Sequence, residues 1–100
     1  MIRHIVLCKV SAEADPAEVA AVWAGLAALE GVVPGLLGSH FGADVSPEGI
    51  GRGYNHGFTM DFEDRAALEG YLVHPAHVEA GGRLVGICEG GVEGVCVVDF

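Results

Sequence analysis

The strongest constraint on this chain is the order in which its hydrophobic pattern changes period. Ile2 to Val10 is an apolar run rich in β-branched residues, interrupted by Arg3, His4 and Lys9 and too short for a good helix, so it reads as a strand. After a loop over Ser11 to Ala14, Asp15 stands as a helix cap, with Pro16 at the first helical position and Glu18 where a capping-box acid belongs. Val19, Val22, Trp23, Leu26 and Leu29 then share one helical face, and Gly31 closes the segment. Pro34-Gly35 turns the chain into a second strand, Leu36 to Ala43, and Ser46 to Gly53 is a loop dominated by glycine and proline. A third strand, Tyr54 to Phe62, sets His56, Phe58, Met60 and Phe62 on one face and Asn55, Gly57, Thr59 and Asp61 on the other.

A second helix starts near Asp64, an acceptable cap, and buries Leu68, Tyr71 and Leu72. The chain breaks at His74-Pro75, where proline permits a fresh helix; Val78, Gly81, Leu84 and Val85 continue only a weak apolar face. Gly81, Gly82 and Gly86 each cost about 1 kcal/mol relative to alanine in a helix, so this segment is the least well-signalled. Gly90-Gly91 ends it, and Gly94 to Phe100 is a last strand, apolar except for Asp99.

This order predicts an α+β, ferredoxin-like β-α-β-β-α-β domain with an extra helical piece after His74. The right-handed crossover rule is expected to place the first and third strands side by side and parallel within an otherwise antiparallel sheet. The helices cover one face. Because the first strand carries hydrophobes on both sides, the other face stays apolar and predicts association, with two sheets packing into a dimeric α/β barrel. At 100 residues the chain is expected to be a single domain spanning 1–100, and 51% apolar content in so short a chain points the same way, toward burial against a second copy.

The formal charge of −9 and five dispersed cations, Arg3, Lys9, Arg52, Arg65 and Arg83, leave no basic track for nucleic acid and nothing to hold an anionic membrane surface. Cys8, Cys88 and Cys96 form no C-x-x-C pair. An odd count with no charged leader ahead of the first strand predicts reduced thiols and a cytoplasmic setting.

Several segments resemble the Dabb (stress-responsive A/B barrel) family. Arg3-His4-Ile5-Val6-Leu7-Cys8-Lys9 is similar to its first strand, and Pro34-Gly35 with Gly42-Ala43-Asp44-Val45-Ser46 to its second. Gly53 to Asp64 resembles its third-strand core, and Leu68 to His77, ending in His74-Pro75-Ala76-His77, its H-P-A-H signature. The resemblance covers nearly the whole chain in order and implies the same ferredoxin-like dimeric barrel. Its functional implication is looser, because many members are known only as stress-responsive proteins. The pattern is close to that of the family's plant polyketide cyclases, which carry out an intramolecular aldol condensation without metal or cofactor. On that likeness His77 is the catalytic base, Tyr71 its partner, and His4 and His56 supporting residues. Where those cyclases have aromatics, this chain has Leu26, Ala80, Gly81 and Cys88, which implies a differently shaped pocket.

The residue types suit that chemistry. Neutral imidazole takes a proton near neutrality, and a tyrosine hydroxyl can donate to a carbonyl oxygen as it becomes an enolate. The pair fits aldol cyclisation or isomerisation of a small apolar carbonyl compound, with Trp23, Leu26 and Phe58 as apolar contacts and no cofactor. The alternative is a non-enzymatic stress or structural barrel, in which Tyr71 packs with its hydroxyl on a backbone carbonyl and His77 plugs a helix start. His4 and His56, expected at one edge of the sheet, either bind a polar group at the pocket mouth or hydrogen-bond each other or a carboxylate such as Asp99. His74-x-x-His77 lacks the further ligands zinc wants, so no metal site is expected. His40 is expected to face solvent or the partner, and the cysteines to act as small core hydrophobes.

Overall fold

The computed structural model describes Met1–Phe100. Strand β1 (Ile2–Cys8) is followed by helix α1 (Pro16–Ala27), strands β2 (Leu36–Ala43) and β3 (His56–Phe62), and helices α2 (Arg65–Val73) and α3 (Pro75–Ile87). A 3₁₀ turn over Gly91–Gly94 leads into β4 (Val95–Asp99). The caps fall where the sequence sets them: Asp15 accepts from the Ala17 amide and Asp64 from the Ala67 amide, each at 2.9 Å. Glu18 does not close a capping box. Its carboxylate instead accepts from Arg83 at 3.2 Å, tying α1 to α3.

The sheet order is β2-β3-β1-β4, and every pairing is antiparallel. The expected parallel β1–β3 pair is therefore corrected. The crossover rule governs strands joined through a helix, so β1 runs parallel to β2 and β3 to β4, and in each case another strand lies between them. Antiparallel pairing also separates the two histidines expected at one edge: His4 faces Met60, whereas His56 faces Cys8 at the far end of β1.

Helix α3 forms despite its glycines, because its apolar face has something to pack on: Leu84 and Ile87 are buried. Tertiary burial here outweighs poor propensity. It ends at Ile87, ahead of the glycine pair; Gly90 and Gly91, at φ 67° and 65°, form the left-handed entry to the 3₁₀ turn instead.

Alternation along the strands divides the sheet into two faces. Val6, Cys8, Phe58, Met60 and Phe62 point under the helices and are buried with Val22, Leu26, Leu68 and Tyr71. The opposite face carries Ile5, Leu7, Thr59 and Val98, and Leu7 and Val98 are 40% and 53% exposed. The Arg3–Asp61 ion pair, at 2.8 Å, lies on this open face, as does exposed His40. No helix is long and apolar enough to cross a membrane.

Candidate active site

Between the helix-side face of the sheet and the three helices lies a cavity of about 330 Å³. Strands supply His4, Val6, Phe58, Val95 and Val97; α1 supplies Leu26; α2 and α3 supply Tyr71, His77, Gly81 and their apolar neighbours. Its volume is at the small end of the range for ligand pockets. Leu72, Val78 and Val97, which also line it, are partly exposed and form an apolar rim.

The polar groups are few and each is held. Tyr71 and His77 are separated by the His74-Pro75 break, yet the turn between α2 and α3 brings their rings to 4.1 Å. Nδ1 of His77 lies 3.2 Å from the Leu72 carbonyl oxygen. A carbonyl can only accept, so Nδ1 carries the proton and the lone pair is on Nε2. That nitrogen faces Gly81, where an added Cβ would sit 3.5 Å away. Burial lowers the His77 pKa, the Leu72 carbonyl works against that, and His4 and His74 lower it further; the balance is downward, so the ring is neutral at neutral pH.

Tyr71 is 1% exposed, and its ring packs on Phe62 at 4.9 Å. No protein group hydrogen-bonds its hydroxyl, and no side-chain polar atom is sealed away without a partner, so the hydroxyl opens on the cavity. Burial pushes its pKa above the ordinary phenol value, which keeps it a donor. His4 is the one buried polar or charged side chain. Its Nδ1 donates to Asp99 at 2.5 Å, and its ring stands edge-on to Tyr71 at 5.7 Å.

His4, Leu26, Phe58, Tyr71 and His77 thus meet around one space, and Trp23 and His56 do not line it. His56 stacks on Trp23 at 5.6 Å, and Trp23 packs on Phe41 and Phe58 in an aromatic cluster beside the cavity. Asp99, expected as one of the alternative partners of His4, is the one that His4 takes, and Gly81, expected where related cyclases have aromatics, borders the cavity. Nothing in the sequence places Gly81 beside Nε2 of His77.

His74 caps α3, its Nδ1 accepting from the Ala76 amide at 3.1 Å. Cys8 and Cys88 are buried, and burial, with Cys88 adding to it, pushes the Cys8 thiol up to about 12. It is an inert thiol.

Residues 2–100 match the Stress responsive A/B Barrel Domain family. The chain belongs to the Dabb family. Over 99 residues this Dabb chain is 31% identical to the stress-response A/B barrel domain-containing protein HS1 of Arabidopsis thaliana, covering 99% of this chain and 87% of that protein. Over 80 residues it is 26% identical to olivetolic acid cyclase of Cannabis sativa, covering 80% and 79% respectively. A dimeric ferredoxin-like protein of unknown function from Jannaschia sp. has the same fold at a TM-score of 0.91 and 35% identity, covering 99% of this chain and 96% of that one.

Proposed function

We propose that this Dabb protein is a cofactor-independent enzyme that removes a proton next to a carbonyl group in a small apolar substrate, leading to cyclisation or isomerisation. One observation carries the reading: an unprotonated imidazole nitrogen and an unpartnered tyrosine hydroxyl stand together in an otherwise apolar cavity. Nε2 of His77 takes the proton on carbon while Tyr71 donates to the carbonyl oxygen as it becomes an enolate oxygen. The enolate then either attacks through carbon a second carbonyl of the same molecule, whose oxygen takes the proton back from the His77 imidazolium, or, where it is conjugated, takes that proton at a different carbon. His4, held by Asp99, offers a second polar contact, and Leu26 and Phe58 take the apolar body of the substrate. The absence of Lys and Arg from the lining favours an uncharged ligand. Likeness to a cyclase supports the reaction class.

Exchange of carbon-bound hydrogen for deuterium, followed by NMR over a panel of ketones and β-diketones, tests this. Exchange accelerated by the native chain and lost in His77→Gln is expected. No acceleration across the panel would leave the non-enzymatic barrel reading.

The working form is proposed to be a homodimer in the cytoplasm. The exposed apolar sheet face and the dimeric Jannaschia relative support the first, and three free thiols the second. Light scattering should give twice the chain mass at micromolar concentration; a stable monomer there would refute pairing.

A further inference from the structure

The carbonyl of Leu72 sits where α2 stops and α3 begins, and its hydrogen bond is decided by three neighbours. In a continuous helix it would accept from the amide four residues on, and in a tighter last turn from the amide three residues on. The residue three on is Pro75, which has no N–H. The residue four on is Ala76, whose amide turns instead to Nδ1 of His74 at 3.1 Å. The Leu72 carbonyl is thereby left to the side chain of His77, whose Nδ1 reaches it at 3.2 Å.

We propose that His74 is a positioning residue: by taking the Ala76 amide it reserves the Leu72 carbonyl for His77 and so fixes the His77 tautomer that leaves Nε2 free as a base. The two histidines hold opposite tautomers. His74 must have a bare Nδ1 to accept, and His77 must have a protonated Nδ1 to donate. Remove the His74 acceptor and the Ala76 amide competes for the Leu72 carbonyl, which frees the His77 ring to carry its proton on Nε2. In that form the nitrogen facing the cavity is a donor and cannot abstract a proton. The functional meaning of this wiring rests on His77 acting as the base; the wiring itself does not.

Long-range ¹H–¹⁵N correlation spectra of the labelled chain, recorded at mildly alkaline pH where imidazoles are neutral, read both tautomers directly. The native chain should show the proton on Nδ1 in His77 and on Nε2 in His74. His74→Ala should lower the ratio of the Nδ1–H to the Nε2–H form of His77 about fivefold, the factor that one net hydrogen bond is worth. His74→Asn, whose side-chain oxygen can cap the same amide, should restore it. In the exchange reaction, His74→Ala should lower kcat with KM little changed, and His74→Asn should recover it. A shifted tautomer without any exchange activity would uphold the wiring and remove the base role. Native His77 with its proton on Nε2 would overturn the proposal without any variant, as would an unchanged His77 pattern in folded His74→Ala.

Discussion

Two histidine neighbourhoods lie under the same helices, and they are built to opposite ends. His56 lies flat against Trp23, with an interplanar angle of 22°, and Phe41 and Phe58 complete a solid aromatic block. His77 also lies against an aromatic ring, that of Tyr71, but Gly81 stands beside its Nε2 and space opens there. Phe58 is the wall between them, touching Trp23 on one side and lining the cavity on the other. A histidine beside an aromatic ring is therefore neither structural nor chemical by itself. Surroundings decide: His56 is half-buried, stacked on Trp23 with its Nδ1 beside the Asn55 side-chain oxygen, whereas Nε2 of His77 faces the space left open at Gly81.

The contrast predicts separable losses. His77→Gln should lower exchange by 10²–10⁴-fold, about 3–5 kcal/mol of barrier, and Tyr71→Phe by roughly 10²-fold, both with little change in Tm. Trp23→Ala, in the packed neighbourhood, should cost about 2 kcal/mol in urea unfolding because Trp23 is only half-buried, and should affect catalysis far less. If Trp23→Ala abolished activity at full stability, the division between the two regions would collapse. Gly81→Ala should move the two properties in opposite directions. Alanine favours the helix by up to about 1 kcal/mol, while its Cβ, 3.5 Å from Nε2, narrows the space where a substrate must sit. Stability should rise and exchange fall. The smallest effect is in pH. Burial lowers the His77 pKa from 6.5, and the neutral ring is the active form, so kcat/KM should hold as pH falls past 6.5 and drop only through the lowered value. An acid limb above 6.5 would contradict a desolvated base.

Much of this was readable from local chemistry. The Asp15-Pro16 start of α1, the Asp64 cap and the break at His74-Pro75 follow from side chains and proline acting on adjacent backbone, and all stand in the structure. Helix α3 was the weakest segment by propensity, since a sequence pattern carries no information about the surface that Leu84 and Ile87 will bury against. The β1–β3 orientation is not legible in the pattern, because crossover handedness relates strands across a helix and is silent about the strand inserted between them. Parallel pairing would set His4 and His56 at one edge, whereas β3 runs back along β1 and sends His56 to Trp23.

By itself, then, the sequence determined the order of elements, the family, and the residue types available for chemistry, because capping, periodicity and proline geometry act over a few neighbouring residues. The meeting of Tyr71 with His77, the pairing of His4 with Asp99, and the hollow beside Gly81 were settled only in three dimensions. Each depends on where helices cross and strands pair, and no spacing along the chain encodes the volume left between them.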